Sequence, residues 1–168
     1  IRQKCDEYGI MFILDEVKTG FRLARGGAQE VYNLKPDLAT YAKSLANGYP
    51  LAAVAGKRDI MNVVGRGVAQ GGTFNNNKPG VAAAFVTLDK LQSEPILETI
   101  ARRGRRLMEG LHGIFEAAGL QASFRGHPAM FSYAFGVEQV TCQREWDASD
   151  RDYYLRLVDA AIETRSAA

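Results

Sequence analysis

An aspartate and a lysine 28 positions apart carry the most specific chemical signal in this sequence. Asp15 closes the apolar run Ile10-Met-Phe-Ile-Leu14, and Lys43 lies within Thr40-Tyr-Ala-Lys-Ser-Leu-Ala-Asn-Gly48. The apolar run reads as a strand buried on both faces of a parallel sheet, so a carboxylate at its end enters a low-dielectric pocket and needs a cationic partner there. A lysine that attacks an aldehyde must be partly deprotonated, which burial among neighbours such as Tyr41 and Leu45 favours. Together the two meet the needs of an aldehyde cofactor with a pyridine ring: the amine forms the imine, and the carboxylate keeps a proton on the ring nitrogen. Taken singly, each has an ordinary alternative. Lys43 by itself reads more readily as an exposed loop lysine, and Asp15 reads equally as the partner of Arg22 or Lys18 in a salt bridge.

Other residues near these two add weaker signals. Val17, two positions beyond Asp15, projects from the same side of an extended chain and either presses its branched side chain on a flat ring or serves as core. Thr73, after Gly71-Gly72, offers a hydroxyl and backbone N–H groups in a loop that opens a helix, which suits a phosphate but also suits a plain turn. Asn75 to Asn77 reads as turn chemistry or helix capping. The sequence contains no G-x-x-x-x-G-K-[ST], no G-x-G-x-x-G after a strand, no H-E-x-x-H and no G-x-S-x-G. His112 and His127 have no nucleophile or carboxylate in a recognisable arrangement and read as structural.

The elements that must hold Asp15 and Lys43 follow an α/β rhythm. Ile1 to Tyr8 reads as the last turns of an amphipathic helix capped by Gly9, and Ile10 to Leu14 as the buried strand. A Gly-rich loop, a short helix over Ala28 to Tyr32 and a turn at Pro36 lead to a second strand, Leu38 to Tyr41. A third strand spans Leu51 to Ala55, followed by a helix from about Asp59 to Val64 and a Gly-rich loop. From Pro79 the recurrence of Val81, Phe85, Leu88 and Leu91 predicts a helix, and Ser93-Glu-Pro95 starts another, with Ile96, Ile100, Leu107, Leu111, Ile114 and Phe115 on one stripe and Gly119 at its end. Beyond Gly119, Gln121 to Phe124 and Met130 to Phe135 read as strands of a smaller α+β unit, and Ser149-Asp-Arg-Asp152 opens a last helix. These expectations place residues 1–119 in one domain and 120–168 in the beginning of a second.

Composition narrows the function classes. With 168 residues, 46% apolar and 24% charged, the chain belongs with globular proteins. A net charge of +2 gives no electrostatic case for nucleic acid or an anionic membrane. The local basic run Arg102, Arg103, Arg105, Arg106 reads as a solvated helix face or as a subunit or ligand contact. Cys5 and Cys142 form no disulfide framework and no metal-ligand spacing, so no metal is expected and a reducing, cytoplasmic setting is the default. The first residue is not Met and the opening helix has no start, so the chain reads as a piece of a longer polypeptide.

Five ordered blocks carry a family resemblance: Leu14-Asp-Glu-Val-Lys-Thr-Gly-Phe-Arg22, Gly26-Gly-Ala-Gln-Glu30, Lys35-Pro-Asp-Leu38, Ala42-Lys-Ser-Leu-Ala-Asn-Gly-Tyr-Pro50 and Gly71-Gly-Thr-Phe-Asn-Asn-Asn77. They resemble the class III pyridoxal-phosphate aminotransferases, and Phe21-Arg22 followed by Gly26-Gly-Ala-Gln29 is most similar to the glutamate-1-semialdehyde aminomutase branch. The resemblance implies part of a fold-type I large domain, a mostly parallel sheet with flanking helices, followed by the start of the smaller domain. It implies that Asp15 bonds the pyridine nitrogen of pyridoxal 5'-phosphate, that Val17 packs on its ring and that Lys43 holds it as a Schiff base. It further implies that Gly72 and Thr73 reach the phosphate in the neighbouring subunit of a homodimer. The reaction implied moves an amino group between an amino acid or amine and a carbonyl. Asn77-Lys-Pro-Gly80 departs from the family's usual Asn-Pro, and the family's amino-terminal part and carboxyl-terminal end are lacking. The competing expectation is a non-catalytic remnant of the same fold that binds no cofactor.

Overall fold

Helix α1 (Arg2–Glu7) ends where the sequence places its stop: Gly9 adopts φ +64°, and the Ile10 N–H donates back to the Cys5 carbonyl at 2.8 Å. This closing pattern needs a left-handed residue and therefore favours glycine. The computed structural model describes residues 1–73 and 75–166; Phe74 of the Gly-Gly-Thr-Phe block, Ala167 and Ala168 lie outside the described residues. Two compact units divide the chain, the first from Ile1 to Leu97 and the second from Glu98 onward.

In the first unit, β1 (Ile13–Asp15) pairs in parallel with β2 (Leu38–Tyr41), and β2 pairs antiparallel with β3 (Ala53–Gly56). The short helix α2 (Gly27–Val31) lies between β1 and β2 in the chain, as a parallel connection requires. The register sets Ile13 against Leu38 and Asp15 against Thr40. Beyond β3 come α3 (Arg58–Met61) and the longer α4 (Lys78–Ser93). Asn77 caps α4, accepting from the Gly80 N–H at 3.5 Å and donating to the Pro50 carbonyl at 3.0 Å. Pro79 occupies the first turn, where a missing N–H does no harm. A small core of Leu45, Ala46 and Ala84, with Phe21, Tyr41, Leu51 and Ala83 against it, joins α4 to the chain after β2.

Burial corrects the expectation for the first apolar run. Only its end is strand, and Ile10, Met11 and Ile13 are 58%, 50% and 55% exposed. Among the described residues β1 pairs with β2 alone, so no strand lies on its other edge. All four residues of β3 are exposed as well, and on α4 the predicted inward residues Val81, Phe85 and Leu88 face outward.

Two carboxylates tie the first unit together. Asp37, just before β2, accepts from Arg2 at 2.6 Å, Lys57 at 2.5 Å and the Phe12 N–H at 2.7 Å. It thus fastens α1, the entry to β1 and the exit from β3 to one point. Lys57 first, then Arg2 and the Phe12 N–H, hold its carboxyl well below the usual carboxylate range. Glu16 is fully buried and accepts from the Thr19 hydroxyl, the Ala28 N–H at 2.9 Å and the Gln29 N–H at 2.8 Å. Its charge therefore meets the open N-terminus of α2. Gly27, at φ +72°, makes room for it, since a β-carbon there would lie 2.5 Å from the carboxylate.

The second unit is built on aromatic packing. The helix α5 (Ile96–Ala117) ends before Gly119 at φ +69° and is followed by the antiparallel pair β4 (Ala122–Arg125) and β5 (Ser132–Phe135). Phe115 is buried, with its ring 5.0 Å from Phe135 and 5.4 Å from Tyr133. Tyr153 and Tyr154 bring α7 (Arg151–Ser166) onto β5, and Asp150 caps that helix through the Tyr153 N–H at 2.8 Å. A further helix, α6 (Gln143–Asp147), has no counterpart in the sequence expectations. Its start is held by Glu145, whose carboxylate takes the N–H groups of Thr141 and Cys142. Gly104 packs on Pro128, while Arg102, Arg103, Arg105 and Arg106 around it are all exposed. His127 accepts from the Ala129 N–H, and His112 lies near Glu116 and the Phe124 ring, both structural positions.

Two outcomes are expected. Gly27→Ala and Glu16→Gln should each lower the unfolding free energy by about 2–4 kcal/mol in urea denaturation, because each leaves buried donors without their acceptor or forces the left-handed turn. For Asp37, a pKa depressed on folding adds stability that is complete above the unfolded value of about 4 and is lost as pH falls below it. Acid titration of unfolding should show that loss in the wild type, whereas Asp37→Asn should be weaker at neutral pH and flatter between about pH 4 and pH 2.

Candidate active site

Parallel pairing brings the two predicted residues to one edge. Asp15 ends β1 opposite Thr40, and Lys43 follows two residues after β2 ends at Tyr41. The Asp15 Oδ1 accepts from the Thr40 hydroxyl at 3.3 Å, and the Glu16 N–H donates to the Thr40 carbonyl at 2.9 Å. Adjacent strands lie ~4.8 Å apart and three residues reach at most ~11 Å, so the two α-carbons are within about 16 Å of each other. Both lie at the carboxyl ends of parallel strands, where open α/β sheets place their ligands.

Several details differ from expectation. Asp15 and Lys43 are exposed rather than buried. Asp15 forms no ion pair with Lys18 or Arg22; its Oδ1 accepts instead from the Val17 N–H at 2.8 Å. That bond turns the chain directly after the strand, so Val17 is half-buried in a turn and is not the next outward residue of an extended run. Lys43 opens a 3-10 turn, Lys43–Leu45, with φ +43°.

Alternation at the strand end separates the two neighbouring carboxylates. Asp15 faces outward while Glu16 turns inward to the α2 N-terminus. From Glu16 a chain of contacts runs toward the lysine: Gln29, held through its N–H by Glu16, donates from Nε2 to the Tyr41 hydroxyl at 2.5 Å. Burial, reinforced by the nearby Glu16 charge against the opposing Gln29 bond, pushes the Tyr41 phenol above its ordinary value, so it stays neutral at physiological pH. Phe21 lies 5.5 Å from the Tyr41 ring, and Arg22 Nε donates to the hydroxyl of buried Ser44. Gly20 must be glycine, since a β-carbon there would meet the Glu16 carbonyl and the Tyr41 ring, both at 2.8 Å.

Glu16, Gln29 and Ser44 are residues to which sequence reasoning gives no role of their own, and it weighs Arg22 only as a partner of Asp15. The sequence does hold a trace of them: an inward residue must alternate with Asp15, and Gly20 and Gly26-Gly27 mark the places where backbone comes close.

Gly72 and Thr73 are exposed in a turn closed by the Asn75 N–H on the Gly72 carbonyl at 3.0 Å. No described hydrogen bond joins them to Asp15 or Lys43. A cavity of about 900 Å³ next to that loop is lined by Pro50, Leu51, Val64, Val68, Asn75 and Val81 among others, and by neither Asp15 nor Lys43. Among the described residues no group of histidine, cysteine and carboxylate side chains could hold a metal ion, and no helix is long and apolar enough to cross a membrane.

Known proteins are similar to this chain in sequence and fold. A 3-aminobutyryl-CoA aminotransferase of Cloacimonas acidaminovorans (strain Evry) is 32% identical over 158 residues, 94% of this chain and 37% of that protein. The PLP internal aldimine form of the FumI protein of Sphingopyxis sp. MTA144 matches 80% of this chain at 32% identity with a TM-score of 0.75, over 32% of its own length. A β-phenylalanine aminotransferase from Variovorax paradoxus matches 89% of this chain at 28% identity with a TM-score of 0.76, over 35% of its own length. The chain thus spans about a third of the length of these relatives. The model of the aminotransferase class-III family matches residues 1–161. With that match over nearly its whole length, and a fold shared with solved transaminases, the chain belongs to the class-III aminotransferase family.

Proposed function

We propose that the protein to which this chain belongs is a pyridoxal-phosphate-dependent aminotransferase or aminomutase, moving an amino group between a small-molecule amine or amino acid and a carbonyl. The observation that carries the reading is the parallel β1–β2 register, which brings Asp15 and Lys43 to the same strand edge through Thr40. The donor set fits the cofactor: a primary amine for its aldehyde, a carboxylate for its ring nitrogen and a branched apolar side chain for its ring. Bound there, the cofactor supplies an electron sink for the substrate carbon next to nitrogen. Lys43 Nζ would hold the cofactor's aldehyde carbon and would serve as the base that carries a proton from and to the substrate carbon. Asp15, whose Oδ1 is fixed by the Thr40 hydroxyl and the Val17 N–H, would keep a proton on the ring nitrogen. Val17, from its turn after β1, would supply the branched apolar side chain against the ring. Gly72 and Thr73 reach the phosphate across a homodimer interface, a role supported by their exposure.

Within this reading, residues 1–119 belong to the cofactor-binding large domain and 120–168 open the smaller one. Phe21-Arg22 and Gly26-Gly-Ala-Gln29 favour the glutamate-1-semialdehyde aminomutase branch, and the two unpaired cysteines favour the cytoplasm. The second reading, a cofactor-free remnant, draws on the exposure of Asp15 and Lys43 and on a cavity that neither lines. One experiment separates the two. Full-length protein with pyridoxal phosphate should give a borohydride-sensitive chromophore and, after reduction, an adduct on the Lys43 peptide, both abolished in Lys43→Ala; a colourless wild type would establish the remnant. Asp15→Asn should keep the adduct and lower kcat by about a hundredfold or more.

A further inference from the structure

Lys43 is held in a backbone conformation that costs energy. A non-glycine residue at φ +43° persists only where its surroundings over-determine it. Its own turn contributes the Leu45 N–H on the Ala42 carbonyl at 2.9 Å and the Asn47 N–H on the Lys43 carbonyl at 3.0 Å. These local bonds are available to any loop of this length. What is specific is that side chains on both flanks of Lys43 are tied to one distant segment. Two residues before it, the Tyr41 hydroxyl takes the Gln29 amide; one residue after it, the Ser44 hydroxyl takes Arg22 Nε. Ser44, Leu45 and Ala46 are buried, so the turn cannot rotate without exposing them or breaking the Arg22 bond. Arg22 in turn belongs to the loop that Glu16 folds, and Phe21 beside it takes φ +60° and packs on Tyr41.

We propose that Arg22 is a positioning residue for Lys43, acting through the Ser44 hydroxyl to hold the lysine turn in its left-handed conformation and its amine at the strand edge shared with Asp15. The assignment rests on the reading of Lys43 as the residue that holds the cofactor, and it gives Arg22 a task other than pairing with Asp15. The bond lies 22 residues apart in sequence and couples the loop after β1 to the turn after β2. A misplaced amine reacts more slowly even where the cofactor still binds, because orientation sets the rate of reaction between bound partners.

The test uses full-length protein stripped of cofactor and two probes. Pyridoxal phosphate followed by borohydride, with mass spectrometry of the Lys43 peptide, measures how fast the amine condenses with the aldehyde as water leaves. Pyridoxine 5'-phosphate, which has an alcohol in place of the aldehyde, measures the non-covalent grip alone. Arg22→Met and Ser44→Ala should each slow adduct formation about tenfold while pyridoxine phosphate binds as in the wild type. The double variant should be no slower than either single, because both remove the same bond, and Arg22→Lys, which keeps a donor, should recover most of the rate. Unchanged adduct rates in Ser44→Ala and Arg22→Met would overturn the assignment. So would a loss of pyridoxine phosphate binding equal to the loss of rate, which would make the pair merely structural, or a double variant as slow as the product of the singles. A wild type that forms no adduct would overturn the cofactor reading itself, a result distinguishable from all of these.

Discussion

A charged side chain with no access to water must be met by donors on every side, and Glu16 imposes that condition on the loop beyond β1. Its carboxylate collects the Thr19 hydroxyl and two N–H groups at the start of α2, so residues 17–29 fold back around a single point. A hydrophobic residue in its place would leave that helix start unsatisfied. The consequences spread outward from there. Gly27 has no β-carbon because the carboxylate occupies the space, and Gln29 is fixed so that it reaches Tyr41. Phe21 and Arg22 then lie against the chain that carries Lys43. The chemistry proposed for Asp15 thus depends on its neighbour pointing the other way.

The second constraint is the parallel register. Antiparallel pairing of β1 and β2 would put Asp15 and Lys43 at opposite ends of the sheet, whereas parallel pairing puts both at the same end. Asp37 secures that register at the amino-terminal side: it draws Arg2, Phe12 and Lys57 together, so three segments enter the sheet from a common anchor. An amine and a carboxylate at one strand edge are general equipment. The family match and the likeness to solved transaminases give that equipment its context.

In the first unit, exposed apolar surface follows from the same sheet. The run into β1 carries Ile10, Met11 and Ile13 in the open, β3 carries Val54, and α4 presents Phe85 at 77% exposure. Paired and covered strands of this composition would be buried. The chain spans about a third of the length of its relatives, and residues that read as core from their pattern are exposed among the described ones. The second unit also leaves Ile100, Leu107 and Ile114 of the predicted α5 stripe exposed, while its aromatic cluster around Phe115, Tyr133 and Phe135 closes on itself between α5, β5 and α7.

Local rules made much of this legible. Helix ends at Gly9, Ser93 and Gly119, the strand Leu38 to Tyr41 and the placing of Asp15 and Lys43 after strands follow from periodicity and from residues with strong backbone preferences, which act over a few positions and can be read in order. Helix α6 escaped because its cap uses Thr141, Cys142 and Glu145, a weaker signal than Ser149-Asp-Arg-Asp152 before α7, where Asp150 makes the cap. The order of residue types determined that a carboxylate and an amine would follow two strands, since strand propensity and glycine breaks are properties of the chain itself. Only the tertiary structure decided which of Asp15 and Glu16 turned inward, that Arg22 would bond Ser44 rather than Asp15, and that Lys43 would adopt a left-handed turn. Those outcomes hang on contacts between segments 12 to 25 residues apart, where the balance of burial and hydrogen bonding depends on the folded neighbour and not on adjacent sequence.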